Sequence, residues 1–427
     1  MVAVMSGVMM LGCMPLFAWA DTDALADLKA QMAAMEQRHQ EELTQLQARL
    51  TTLEASRANA GKEISQAPAG LTERLATLET KVSKIPTLDR FANITWYGDF
   101  RLRFYDGTYN LDSATNRHRA RARLRLGLTY PAADNVEFGA RLSTGGSTGD
   151  SPYVTLGDRF NKDDFQLDRY YLRYHPVPAL DLVAGKFENP FWVTQATWDV
   201  DLQPEGAAAT YTFKNLGPMI DEASVRAGFF TVSELEFDND ATMIGGQVVA
   251  TKKFAKNWSL QSGLANYDYR KVSPASTVSN ATDAQGSFLS DFKEIDSISE
   301  LTYSGWKWPM AVLWEYGHNF GVADGVGDNL YSVEARMGKI KQVWDWELKY
   351  NFAHIEQDAA LADFVGNESS PETNTTYHGL YATMRVLKNT DLGMSYLLFR
   401  RDKIGTTSST DENTLNHRLR LDITVKF

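Results

Sequence analysis

Between Arg119 and Tyr130 the chain reads Arg-Ala-Arg-Ala-Arg-Leu-Arg-Leu-Gly-Leu-Thr-Tyr, so Arg119, Arg121, Arg123 and Arg125 recur at every second position. An extended backbone sends alternate side chains to opposite faces, which puts these four guanidinium groups in one row and Ala120, Ala122, Leu124, Leu126 and Leu128 in the other. The same alternation sets Arg101 and Arg103 opposite Trp96, Phe100, Leu102 and Phe104, and places Arg141, Arg169 and Arg173 on polar faces further along. Guanidinium stays charged at any working pH and forks to oxyanions. A row of them in a narrow, low-dielectric passage raises the local anion concentration and hinders cations. The chemistry implied is electrostatic selection, not bond-making.

Opposite charge is supplied by residues 188–203, Glu-Asn-Pro-Phe-Trp-Val-Thr-Gln-Ala-Thr-Trp-Asp-Val-Asp-Leu-Gln, which carry Glu188, Asp199 and Asp201. Folded inward opposite the arginines, this segment would create a transverse field at a constriction and align dipolar solutes. The competing expectation is structural, with the arginines pairing with Asp99, Glu137 and the acidic segment to hold a wall together. Other chemistry is thin. Asp158, Asp163, Asp164 and Asp168 could offer oxygens to Ca²⁺, although acidity is common in surface loops. The 7 histidines show no metal-ligand spacing, and nothing around His175, His354 or His417 supplies a nucleophile with an orienting partner. No enzyme, cofactor or metal centre is expected.

The elements that must position these residues change character along the chain. From residue 93 onward the hydrophobic period is two. Short turns are expected near 131–135, 176–179, 214–218, 252–257, 304–309, 338–342 and 387–391. Longer polar segments fall near 106–118, 144–165, 188–204, 232–241, 270–291, 318–328, 355–376 and 401–413. That rhythm gives about eight hairpins and about sixteen strands, an even number with both ends on the short-turn side. Tyr130, Tyr174, Phe213 and Tyr303 end strands just before short turns, while Trp258, Trp308, Trp344 and Trp346 lie at or just after them. Tyr and Trp gather at membrane–water boundaries, where the ring meets acyl chain and the OH or NH stays wet. The 427 residues are 43% hydrophobic and 23% charged, with no spanning-helix stretch of roughly 18 to 20 apolar residues beyond the N-terminus. Membrane strands hide in such a composition because only every second residue meets lipid. The net charge of -11 argues against nucleic acid as a partner. The expected fold is an all-β transmembrane antiparallel barrel over 90–427.

Residues 1–20 are uncharged and mostly apolar and end in Ala18-Trp19-Ala20, which fits a cleaved secretory signal without the usual basic start. A lipoprotein reading of Cys13 fits its flanks poorly, so Cys13 should leave with the signal. The mature chain then has no disulfide, thiol chemistry, Cys-ligated metal or Cys-x-x-Cys-His haem site. Residues 21–89 have helical spacing: Leu25, Leu28, Met32 and Met35, then Leu43, Leu46, Leu50 and Leu53, and after a linker near 60–70, Leu71, Leu75, Leu78, Val82 and Ile85. Stripes this narrow favour self-association as an N-terminal α-helical coiled coil, although heptads alone do not choose between two and three strands. A lone helix lying on the barrel or membrane is the alternative.

The last alternating run puts Leu419, Leu421, Ile423, Val425 and Phe427 on one face and Arg418, Arg420, Asp422, Thr424 and Lys426 on the other. Its final Phe427 resembles the signal read by the outer-membrane assembly machinery. Four segments carry a wider likeness: Trp96-Tyr-Gly-Asp-Phe-Arg-Leu-Arg, Arg121-Ala-Arg-Leu-Arg-Leu-Gly, Asp168-Arg-Tyr-Tyr-Leu-Arg-Tyr-His175 and Val183-Ala-Gly-Lys-Phe-Glu-Asn-Pro-Phe191. On these the chain resembles the Putative porin family, related to the phosphate-selective outer-membrane porins. The resemblance spans about 90–427 and implies a sixteen-stranded, homotrimeric pore without naming a substrate. The expectation is passive diffusion of small hydrophilic solutes across the bacterial outer membrane, with weak anion preference, the barrel among outer-membrane lipid and the helical stalk in the periplasm, where the cell wall is a candidate partner. Two rivals are an envelope tether acting through the stalk and a sleeve for a partner electron-transfer protein.

Overall fold

The computed structural model describes residues 93–427 except 111–114, 147–148, 150, 158, 235–239, 275–278, 367–371 and 403–414, together with 41, 44, 45 and 47–52. The chain divides into two units, 1–89 and 90–427. In the first, the described residues are helical and exposed, and the Thr51 and Thr52 hydroxyls donate to the carbonyls of Gln47 and Ala48. The expected signal at 1–20, the linker at 60–70 and the apolar run from Leu71 to Ile85 lie outside the described residues. The coiled coil is therefore not shown.

In the second unit the period-two pattern becomes strands. They are β1 (Thr95–Asn110), β2 (Thr115–Ala133), β3 (Val136–Thr144), β4 (Val154–Thr155), β5 (Phe165–Val177), β6 (Leu180–Lys186), β7 (Glu205–Lys214), β8 (Glu222–Ser233) and β9 (Ala241–Phe254). They continue as β10 (Trp258–Arg270), β11 (Lys293–Tyr303), β12 (Met310–Asn319), β13 (Asn329–Gly338), β14 (Trp346–Ile355), β15 (Thr375–Leu387), β16 (Thr390–Arg401) and β17 (Asn416–Lys426). Each pairs antiparallel with its neighbours, and β17 returns to β1 from Asp99↔Lys426 to Gly107↔Arg418. The two-residue β4 only extends the line of the short β3 alongside β2. Without it, sixteen strands make a closed wall, and each expected short turn is found between consecutive strands. Closure satisfies the backbone groups an edge would expose, which hydrocarbon does not tolerate.

Burial runs opposite to that of a water-soluble protein. Trp96, Phe100, Leu102, Phe104, Leu421 and Ile423 are exposed, while Asp99, Arg103, Arg121, Arg123, Arg418 and Arg420 are buried. The alternation therefore places apolar side chains on the outer face and charges inside, which suits a wall between lipid and a polar lumen. At the short-turn end aromatic rings at or beside neighbouring strands touch one another: exposed Trp258 lies 4.7 Å from half-buried Tyr303, and half-buried Trp308 and Trp346 lie 5.5 Å apart, centroid to centroid. This is the boundary band expected from the sequence.

The lumen is not uniformly polar. Loop residues Phe187, Phe191, Trp198 and Leu361 are buried against Val183, Ala208, Phe230, Met243, Ala265, Tyr267 and Tyr269, which are strand residues of β6–β10. A second cluster joins Ala196, Ala359, Ala360 and Val365 to Leu330, Ala353, Ile355, Tyr377, Leu397 and Phe399 of β13–β16. Aromatic loop residues enter because removing them from water onto these apolar inner faces is favourable. The inward loops thus lay their apolar side chains on β6–β10 and β13–β16, and the arginine-rich part of the lumen lies on β17, β1, β2, β3 and β5.

Candidate functional site

The site is built on three adjacent strands. β2 presents Arg119, Arg121, Arg123 and Arg125, β1 presents Arg101 and Arg103, and β17, joined to β1 only by closure, adds Arg418 and Arg420. Register sets Arg101 directly across from Arg123, and Arg103 from Arg121. Like charges directly opposite one another repel, so such a ladder needs counterions or shielding. Asp99 provides part of this: its Oδ1 accepts from Arg123 Nη2 at 2.6 Å and its Oδ2 from Arg125 Nε at 2.7 Å. Asp422 takes a fork from Arg103, at 2.7 and 3.0 Å. Among the carboxylates that meet these arginines are Asp99, Asp422 and, from a loop, Asp201.

The segment 187–204 does fold inward. The Trp192 N–H donates to Gln247 Oε1 at 2.8 Å and its carbonyl accepts from Gln247 Nε2 at 2.7 Å, fixing the segment to β9. Thr194 Oγ1 donates to Glu315 Oε2 of β12 at 2.6 Å, and Arg226 of β8 donates to the Pro190 carbonyl at 3.0 Å. The segment then meets loop 356–366, with Asp199 N–H on the Phe364 carbonyl at 2.7 Å and Gly366 N–H on the Gln195 carbonyl at 3.0 Å. That second loop is held in turn by Asp358, which accepts from Ser290 Oγ and the Ala281 N–H. Burial raises the Asp358 carboxyl above its ordinary range.

The three acidic residues of the inward segment have separate positions. Asp201 reaches the ladder, 3.4 Å from Arg125 Nη1 and 3.9 Å from Arg123 Nη1. Asp199 is turned into its own loop, where its Oδ1 accepts the Asp201 N–H at 2.8 Å. Glu188 is exposed and pairs with Arg169 at 3.0 Å. Arg141 is bonded to Asp168. Arg173 approaches Asp181 at 3.4 Å, near the short-turn end and apart from the ladder. Arg119 lies over the Tyr105 ring. Phe427 closes the sheet, exchanging backbone hydrogen bonds with Gly98 at 2.8 and 3.1 Å.

Sequence reasoning missed several functional groups. Arg418 and Arg420 had been placed on an inner face, but nothing local says that they stand beside β1. Tyr153, from loop 145–164, enters the ladder without any signal in its surroundings. On the far side of the closed sheet, Glu294, Asp296 and Glu315 are buried beneath the inward loops. A signal for that covering was available: β9 has inner Ala241, Met243 and Val249 as well as outer Ile244 and Val248, so both faces are apolar. Of the acidic group considered for Ca²⁺, Asp158 lies outside the described residues and Asp168 is engaged by Arg141. Among the described residues no group of three or more His, Cys, Asp or Glu could hold a metal ion.

A cavity of about 290 Å³ opens beside the constriction, lined by Arg141, Asp168, Lys186, Asp201, Gln203 and Glu205 among others. Its charges are largely paired within it, Arg141 with Asp168 and Lys186 with Glu205.

Residues 92–297 match the model of a family described as Putative porin. No curated protein matches the chain. Among solved structures, OprB of Pseudomonas putida is similar at 12% identity and TM-score 0.52, covering 81% of this chain and 96% of that one. The outer membrane channel DcaP of Acinetobacter baumannii aligns at 16% identity and TM-score 0.45, over 78% of this chain and 97% of that one. The likeness to OprB is one of fold. The family match over just under half of the chain, taken with the closed barrel and its charged lumen, supports a porin-type outer-membrane channel.

Proposed function

We propose that the channel passes small hydrophilic solutes by passive diffusion with a weak preference for anions. The observation that carries this is the row of arginines on the inner face of β17, β1 and β2, which Asp201 of the inward segment joins at 3.4 Å from Arg125. Such a row favours anions, and its partial neutralisation by Asp99, Asp422 and Asp201 argues for weak bias over tight anion capture. The resemblance to phosphate-selective porins noted in the sequence is compatible with that bias, without requiring a dedicated phosphate site.

The same reading includes a homotrimer in outer-membrane lipid, a cleaved signal at 1–20, residues 21–89 as a periplasmic helical stalk, and Phe427 as a residue read by the assembly machinery. Purified protein in planar bilayers under a KCl gradient tests the selectivity. A reversal potential of the sign for anion preference is expected, and clear cation preference refutes it. Chemical cross-linking of the membrane-embedded protein tests the trimer, with a ladder ending at three copies expected and a monomer band alone refuting it.

A further inference from the structure

The two directly opposed arginine pairs of the ladder, Arg101 with Arg123 and Arg103 with Arg121, enclose an aromatic ring that belongs to neither strand. Loop 145–164 turns back along β2, where the Leu156 N–H donates to the Ala120 carbonyl at 2.9 Å and β4 pairs Thr155 with Arg121 and Val154 with Ala122. This drives Tyr153 inward until it is only 5% exposed. The guanidinium carbons of Arg103, Arg121 and Arg123 lie 4.4, 4.9 and 5.4 Å from its ring centroid. Arg101 Nη1 donates to its hydroxyl at 2.9 Å. Arg121 Nη2 also donates to Ser151 Oγ at 2.7 Å and to the Tyr153 carbonyl at 3.4 Å. The loop is itself fastened by Thr144, whose hydroxyl donates to the Pro152 carbonyl at 3.0 Å and accepts the Leu124 N–H at 2.9 Å.

An aromatic face carries negative potential, so a ring among cations attracts each of them and separates them from one another. We propose that Tyr153 is a positioning residue for selectivity: its ring holds three arginines and its hydroxyl a fourth as a fixed array along the lumen, so that the ion preference of the channel depends on an uncharged loop residue. This rests on the anion-selective reading above. The ring orders the guanidinium groups without neutralising them, unlike Asp99 and Asp422. Without Tyr153, Arg101 and Arg121 lose the group that ties them to Arg103 and Arg123, which stay on Asp422 and Asp99, and the net charge is unchanged while its arrangement in the lumen is lost.

The test compares wild type, Y153F and Y153L, all of equal charge, in planar bilayers with a KCl gradient, after heat-modifiable mobility on gels has shown that each is folded. Y153F keeps the ring over Arg103, Arg121 and Arg123 but frees Arg101, and should retain most of the wild-type permeability ratio. Y153L should lower the anion-to-cation ratio by about two- to fivefold, the Boltzmann weight of one exposed-strength cation–π contact, and raise conductance as the ring leaves the lumen. If Y153L does not fold, Y153M replaces it with an unbranched side chain of similar reach. An unchanged ratio in the folded ring-less variant overturns the proposal, as does a Y153F shift equal to that of the ring-less variant. The sign of the wild-type potential tests the proposed function separately, because the inference is read from the difference between variants.

Discussion

Replacing Asp99 by Asn removes one negative charge from the middle of the arginine ladder while keeping the shape of the side chain. In the wild type its two oxygens lie 2.6 and 2.7 Å from nitrogens of Arg123 and Arg125, so each guanidinium is screened from a passing ion by the same carboxylate. For an ion about 5 Å from the uncovered charge, Coulomb's law in water gives about 0.8 kcal/mol, and screening at 0.1 M salt over half a Debye length reduces this to about 0.5 kcal/mol. That enriches monovalent anions about twofold and depletes cations by the same factor, so the permeability ratio should rise about fivefold for D99N. At 1 M salt the Debye length falls to about 3 Å and the change should shrink below about twofold. The assay is reversal potential across a bilayer at both salt levels, with heat-modifiable mobility as the folding control. Asn still offers one acceptor, so the stability cost should stay near 1–3 kcal/mol. A folded variant whose ratio does not move at 0.1 M, or moves equally at 1 M, refutes the view that permeating ions feel these pairs.

Three further outcomes test the inward loops and the turns. A Cβ on Gly245 would lie 2.6 Å from the Phe191 ring. G245A should therefore displace segment 187–204, costing about 1–3 kcal/mol as an overpacked contact and raising single-channel conductance, and unaltered conductance counts against that segment as the constriction. T194V removes the hydroxyl that donates to buried Glu315. It should destabilise by about 1–3 kcal/mol in denaturant titration and add flicker to the open-channel current, and quiet, wild-type traces would speak against Thr194 as an anchor. In the turn after β13, the Lys341 and Gln342 N–H groups donate to Asp345 Oδ2 at 2.9 and 2.8 Å, which lowers its carboxyl below the ordinary 3.8. A carboxylate depressed in the folded state contributes stability above its unfolded pKa and loses it as pH falls through the folded one. D345A should accordingly melt below wild type at pH 7, with the gap closing as pH is taken below 3.8. A gap independent of pH would discount the ionised cap.

Much of the wall was legible because its signal is local. A strand that separates lipid from water must alternate, and Arg119 to Leu128 does so within ten residues. Turn positions, strand number and the inner face of the ladder arginines follow from that rhythm alone. The loops were less legible. Residues 188–203 were expected to turn inward for their charge, whereas what holds them there is Phe191 and Trp198 against apolar inner faces of β6–β10. Asp201 reaches the ladder, while Glu188 pairs with Arg169 and Asp199 accepts a hydrogen bond within its own loop, because the orientation of a loop side chain depends on contacts made elsewhere.

By itself the amino-acid sequence determined the period, the number of strands and which side chains point inward, since these depend on neighbours one and two positions away. Only the tertiary structure decided which inward residues meet. Sheet closure brings Asp422 to Arg103 and sets Arg418 and Arg420 beside β1, and a returning loop brings Tyr153 among four guanidinium groups. Those encounters join residues far apart in the chain, and their positions follow from closure, register and burial, which no local pattern encodes.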